Sequence, residues 1–171
     1  GSKIVCDLIK LKYKVIIVDN LSTGNPYLIN KKAKFYKCDL SDEKKLENIF
    51  TINKIDYVIH CAAYLNVKES QINPKKYFIN NIQNTEKLLK IFVKKKIKYF
   101  IFSSSCTVYG NYKNSLNEKL KPNPTSFYGK TKYKSEKLIE KYSIKHRFKY
   151  IVLRYFNVAG SDLKNKIGHI N

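Results

Sequence analysis

The 171-residue chain carries 34 Lys and Arg against 13 Asp and Glu, a formal charge of +21, with 43 % hydrophobic residues, 6 Gly and 4 Pro. That composition builds a core for one domain or slightly more and excludes a disordered or collagen-like chain. No apolar run approaches the roughly 18 residues of a membrane span and no signal peptide opens the chain, so the expectation is a cytoplasmic protein without a membrane partner. Cys6, Cys38, Cys61 and Cys106 are far apart and form no CxxC pair. Metal ligation and a disulfide framework are therefore not expected, and reduced thiols are.

The charge raises the question of a nucleic-acid partner. Of the 34 cations, all but Arg147 and Arg154 are Lys. Base readout leans on the planar fork of Arg, so a Lys-only excess argues against it. Asn, Ile and Tyr are abundant alongside Lys, and these four residues share A/T-rich codons. The expectation is no nucleic-acid partner.

In chain order, residues 2–11 read as a helix and residues 15–18 as a strand ending at Asp19. Residues 35–38 form the next strand, ending at Asp39-Leu40. A helix over 42–52 follows, with Leu46, Ile49 and Phe50 on one face. Residues 57–61 read as a strand, 74–94 as one helix, 99–103 as a strand, 128–145 as a helix and 150–154 as a strand. The strand runs are short and nearly continuous in Val, Ile, Phe and Tyr, as buried parallel strands are. The alternation predicts an α/β fold with a doubly wound parallel sheet, whose ligands sit beyond the carboxyl ends of the strands. Polar or small residues gather at those ends: Asp19-Asn20, Ala62-Ala63, Ser103-Ser104-Ser105 and Tyr155-Phe156-Asn157.

In a dinucleotide-binding fold the strand-end acid accepts hydrogen bonds from a ribose diol, about 20 residues beyond a Gly-rich turn. Asp19 holds that place, and counting back reaches Gly1. Gly1 is read either as the last glycine of such a turn or, with Ser2, as a leftover of expression. Tyr128 and Lys132 are four apart at a helix start, hence on one face. A neighbouring ammonium favours the phenolate of Tyr128; lowering a tyrosine by three units takes about 4 kcal/mol. Ser105, upstream at a strand end, supplies a hydroxyl to orient an alcohol. His60 ends a buried strand and reads as a core histidine. His146 and His169 show no partner pattern.

With these residues in place, the chain resembles the extended short-chain dehydrogenase/reductase family, in its branch of NAD-dependent UDP-sugar 4-epimerases. The matching segments are Asp19-Asn20-Leu21-Ser22, HCAAYLNVKES (60–70), Asn80-Asn81 with Thr85, FSSSCTVYG (102–110), SFYGKTK (126–132) and LRYFNVAGS (153–161). The resemblance implies a Rossmann-type NAD-binding domain over 1–171, with Ser105, Tyr128 and Lys132 catalytic. It implies an NAD site lined by Asp19, Asn20, Asp39, Leu40, Cys61, Ala62, Ala63, Asn81, Ser103, Tyr128, Lys132, Tyr155 and Phe156. Ser105, Thr107, Tyr128 and Asn157 would meet the UDP-sugar, no metal is used, and the full-length protein would be a homodimer. No cysteine chemistry is required; Cys61 and Cys106 read as small packing residues.

Departures from the family pattern are informative. The Gly-rich turn is missing apart from Gly1, Leu65 and Asn66 share a stretch where a polar residue is usual, and Asn84 stands where glycine is usual. The resemblance implies a C-terminal substrate domain almost wholly beyond these 171 residues, which alone are therefore expected to hold NAD weakly and not to epimerise. Dehydratases of the family resemble one another in carrying Asp-Glu before Val-Tyr-Gly, and decarboxylases in a Glu there. Here Cys106-Thr107 precede Val108, which favours an epimerase. Another NAD-dependent nucleotide-sugar enzyme is the alternative. A basic nucleic-acid-binding module, marked by salt-steep retention on DNA and indifference to NAD, is the reading from a different class.

Overall fold

The computed structural model describes residues 1–112 and 115–158. The Ala159-Gly160-Ser161 end of the last matching segment, and His169, lie outside the described residues. The chain divides into two compact units, one running over residues 1–42 and resuming at Asn157, the other spanning Glu43–Phe156.

In the smaller unit, α1 (Ser2–Lys10) begins at Gly1, whose backbone accepts from Val5 N at 3.0 Å. A Cβ at Gly1 would meet nothing within 4 Å, so no close approach demands glycine there. Strand β1 (Ile16–Asp19) pairs in parallel with β2 (Lys34–Lys37), placing Asp19 opposite Lys37. Both strands sit one residue from their expected frames. The ladder sets the bounds, because Lys34 N donates to Val15 O and Cys38 N to Asp19 O.

The larger unit is built on a parallel sheet of order β3-β4-β5: β3 (Tyr57–His60), β4 (Tyr99–Ser105) and β5 (Lys149–Tyr155). The expectation of fully buried strands holds at the centre, where Phe100 and Phe102 of β4 are buried. It fails at β5, which pairs on one side only in this sheet and leaves Ile151, Leu153 and Tyr155 exposed. Strand β4 runs two residues past its apolar run because Ser104 and Ser105 pair with Arg154 and Tyr155.

Helix α2 (Glu43–Ile52) buries Leu46, Ile49 and Phe50 and packs on α5 (Asn84–Lys94). Phe92 of α5 meets Phe100 and Phe148 edge-on, with ring centroids 5.2 and 4.8 Å apart. Such pairs are worth about 0.5–1.5 kcal/mol beyond their area. The single helix expected over 74–94 is three pieces: α4 (Pro74–Tyr77), a π-helical turn (Phe78–Gln83) and α5. An unexpected short helix, α3 (Val67–Ile72), precedes them, started by Asn66, whose Oδ1 accepts from Glu69 N at 3.0 Å. The long helix α6 (Phe127–His146) closes at Arg147, left-handed at φ 56.

His60 is a core histidine, as expected. The Thr85 hydroxyl donates to Asn81 O, so it accepts from His60 Nε2–H at 2.8 Å, which fixes the tautomer. Burial first, and the Lys132 charge second, push its pKa down to about 3. The folded protein therefore refuses a proton that the unfolded chain takes near pH 6.5. Stability is complete above pH 6.5 and drains as pH falls toward 3, by about 2 kcal/mol at pH 5. Urea unfolding at pH 7 and pH 5 reads this loss, and His60→Asn should remove most of the difference. An equal difference in the variant would assign the acid sensitivity elsewhere.

Candidate active site

The start of α6 is built before its chemistry is. Ser126 caps it, accepting from Gly129 N at 3.0 Å. Phe127 N donates to Gln71 Oε1 and Tyr128 N to the buried Ser70 Oγ, at 2.9 and 3.0 Å. A helix start leaves its first N–H groups without partners, and α3 supplies two of them here. Tyr128 is thus fixed by its backbone as well as by its ring.

Asn81 ties the same region from the other side. Its Nδ2 donates to Tyr64 O and Thr131 Oγ1, and its Oδ1 accepts from Tyr64 N and Asn80 Nδ2. The π turn leaves Asn81 O to Thr85 Oγ1 and Ser135 Oγ, both at 2.8 Å. The Asn81 side chain is therefore spent on the protein itself. It holds the Tyr64 loop to the α6 turn that carries Tyr128.

Within this unit, Ser103, Ser105, Thr107, Tyr128 and Lys132 come together. Thr107 N and Oγ1 both donate to Ser105 Oγ, at 3.2 and 3.0 Å. The Ser105 side chain faces Tyr128 and favours its phenolate. Lys132, 2 % exposed, donates from Nζ to Ser103 O at 2.8 Å and lies 4.9 Å from the Phe102 ring centre.

The electrostatics correct one expectation. Burial raises the Tyr128 pKa above its ordinary value; the Ser105 hydrogen bond pulls it down, and Cys106 adds to the rise. Lys132 does not offset this, because its ammonium is turned onto Ser103 O, with Nζ 5.9 Å from the Tyr128 ring centre. Burial also draws Lys132 down to about 8, against the opposing pull of Cys61 and Glu136. Burial thus favours the neutral phenol at Tyr128 and disfavours the ammonium at Lys132.

Cys61 and Cys106 are free and half-buried. Ala62 and Ala63 follow β3, and Tyr155 and Phe156 stand exposed at the end of β5. In the smaller unit, Asp19 accepts from Leu21 N at 2.7 Å through Oδ1 alone, leaving Oδ2 without a hydrogen-bond partner among the described residues. Gly24 passes so close that a Cβ there would meet that carboxylate at 3.2 Å. Asn20 Nδ2 donates to Asp39 Oδ2, joining the two strand ends, and Leu40 follows directly. Asn157 is exposed. An open acceptor oxygen at a parallel strand end, with bare backbone against it, fits a ribose diol. Sequence reasoning missed Ser70, Gln71, Thr131, Ser135, Glu136 and Arg154; only Ser126, a capping residue three before Gly129, carried a local signal.

Among the described residues no helix is long and apolar enough to cross a membrane, and no His/Cys/Asp/Glu cluster fits a metal. The sequence profile of the NAD dependent epimerase/dehydratase family matches residues 1–170. The chain is 39 % identical to the UDP-glucose 4-epimerase of Lactobacillus helveticus over 169 residues, covering 98 % of this chain and 51 % of that protein. A crystal structure of UDP-glucose 4-epimerase superimposes at TM-score 0.97 and 38 % identity, over 99 % of this chain and 52 % of that one. The UDP-glucose 4-epimerase from Brucella ovis in complex with NAD does so at 0.96 and 33 %, over 99 % and 52 %. The α/β Rossmann-type fold expected from the alternation is the fold found. The chain spans about half the length of the curated relatives it matches.

Proposed function

The chain belongs to the NAD dependent epimerase/dehydratase family, and from that premise we propose that it is the cofactor-binding, proton-handling part of a UDP-hexose 4-epimerase, a dimer when full length. The observation that carries this reading is the cluster of Ser105, held by two donors from Thr107, with buried Tyr128 and, one turn along the same helix face, buried Lys132. Bound NAD would supply the hydride acceptor at sugar C4, together with a positive charge. Asp19 would hold its adenosine ribose, Asn20, Asp39 and Leu40 the adenine side, and Cys61, Ala62, Ala63, Ser103, Tyr155 and Phe156 the walls. Lys132, already donating at that strand end, would hold the second ribose.

Ser105 orients the C4 hydroxyl, kept in place by two donors from Thr107. Tyr128 takes the proton of that hydroxyl and later returns it to the same C4 oxygen, once the 4-keto sugar has presented its opposite face. Burial raises the tyrosine's pKa, so the phenolate needs positive charge nearby, which bound NAD would supply. Asn157 and Thr107 would meet the sugar. No carboxylate stands on the 3₁₀ turn Cys106–Tyr109, where a dehydratase needs acids to expel water, so inversion without elimination is the reaction the turn supports.

The test is conversion of UDP-galactose to UDP-glucose by the full-length protein, read by a coupled dehydrogenase. Binding of NAD with no inversion at C4 of any UDP-hexose would move the chain to another reaction of the family. Cofactor choice has its own readout. A 2′-phosphate beside Asp19 meets a like charge, worth about 1–4 kcal/mol at such range. Calorimetry should give NAD roughly tenfold or greater preference over NADP. Equal affinities would take Asp19 off the ribose.

A further inference from the structure

Strand β4 ends on Ser105, whose extended backbone makes it the cap of the 3₁₀ turn Cys106–Tyr109. Its Oγ accepts from Thr107 N at 3.2 Å and from Thr107 Oγ1 at 3.0 Å. A serine hydroxyl carries two lone pairs and one proton. With both lone pairs taken, the proton is all that Ser105 has left to offer. The sense of the hydroxyl-to-hydroxyl bond follows from its surroundings. Reversed, it would leave the Thr107 proton without an acceptor among the described residues. Running from Thr107 to Ser105, it frees the Ser105 proton for Tyr128, whose phenolate the Ser105 side chain does favour. The turn is also seated on the helix that carries Tyr128. A Cβ on Gly129 would come 2.7 Å from Thr107 O, so the glycine beside Tyr128 lets α6 close onto the turn. That same carbonyl accepts from Gly110 N at 3.3 Å. Thr107 is therefore hemmed in at its carbonyl, while its N–H and hydroxyl are both spent on Ser105.

We propose that Thr107 is a positioning residue: its hydroxyl orients the Ser105 proton, making Ser105 a donor only, toward the Tyr128 oxygen and the substrate oxygen beside it. This deepens the proposed function and rests on it for the identity of that second oxygen, the one on C4. Ser105 keeps its own proton throughout. The C4 O–H bond breaks, the Tyr128 O–H bond forms, and Ser105 donates to whichever of the two oxygens carries more charge. A reversed Ser105 would aim a lone pair at the phenolate and disfavour it. The backbone N–H of Thr107 cannot enforce the direction alone, because a single donor leaves the second lone pair of Ser105 Oγ free to turn toward Tyr128. The threonine hydroxyl closes that choice.

Two substitutions in the full-length protein separate the hydroxyl of Thr107 from its shape. Thr107→Val keeps the branched shape and removes the donor; Thr107→Ser keeps the donor and loses the methyl. Thr107→Val should lower kcat for UDP-galactose about three- to tenfold, with KM within about twofold of the parent. It should also move the acid limb of the kcat profile up by about half a pH unit, because a phenolate with a poorer donor forms at higher pH. Thr107→Ser should stay within about twofold of the parent, with the limb unmoved. Urea unfolding reads any loss of fold separately. Should Thr107→Val not fold, Thr107→Ala set against Thr107→Ser makes the same comparison across a single oxygen. Parent-like turnover in the variant without the hydroxyl, or an equal loss in Thr107→Ser, would make Thr107 a packing residue and overturn the proposal. A loss that does not vary with pH would overturn the orienting role. A parent that reduces its bound NAD with a UDP-sugar yet does not invert C4 would fault the proposed function instead. The rate of that reduction, compared across the same variants, then decides for or against Thr107.

Discussion

Tyr128→Phe should leave a folded protein that binds NAD and turns over UDP-galactose about 10²–10⁴-fold more slowly, the range for removing a general acid–base group. The substitution is clean because what fixes Tyr128 is mostly not its hydroxyl. Its backbone N–H is held by Ser70, its carbonyl accepts from Thr131 Oγ1 at 2.7 Å, and its ring is buried. Only the contact of its hydroxyl with Ser105 is lost, at most about 1 kcal/mol of stability. Thermal shift with NAD should match the parent while the coupled assay collapses. Near-normal turnover would remove Tyr128 from the proton path.

Gly110→Ala should be the most damaging single methyl group in the described structure. Gly110 sits at φ 72, where an L side chain is strained, and a Cβ there would come 2.0 Å from Asn123 O. That obstacle is backbone, and Asn123 N is itself pinned to Val108 O at 3.0 Å. Relief requires moving the turn Cys106–Tyr109 or the segment at Asn123, because neither can swing aside as a side chain would. Overpacking and left-handed strain together suggest a loss of about 3–5 kcal/mol, a large share of a domain's stability. Urea unfolding measures it; a loss below about 1 kcal/mol would mean the turn yields freely. Because Thr107 on that turn orients Ser105, turnover should fall further than the folded fraction does.

How much of this was legible from the sequence varies with the range of the interactions involved. Residues 57–60 and 99–103 declare themselves as strands because β-branched and aromatic side chains suit a pleated, buried surface. Ser104 and Ser105 do not; they are strand because Arg154 and Tyr155, about fifty residues on, pair with them. Tyr128 and Lys132 are readable as a pair because four residues is one helical turn. What that turn is packed into is not readable. Burial of Lys132, and the orientation of its ammonium toward Ser103, follow from β4 and the Phe102 ring, and so the expected Tyr128–Lys132 coupling gives way to a protonated tyrosine. Nothing in FINNIQ marks a π turn, since no Pro or Gly interrupts it. It is stabilised by partners on α6 and at Tyr64. Glu136 carries no signal of its own in the sequence, because its partners Arg154 and Ser104 are brought to it by the sheet.

The bonds that radiate from Asn81 also bear on time. They join residues 17, 50 and 54 positions apart, at Tyr64, Thr131 and Ser135. Closing a loop of about fifty residues costs roughly 3.5 kcal/mol of chain entropy before any contact repays it. Such contacts are expected to form late, and a low φ-value for Asn81→Ala would show it. A clamp that forms late would act as a latch: Asn81→Ala should leave the folding rate nearly unchanged and speed the opening of the Tyr128 turn.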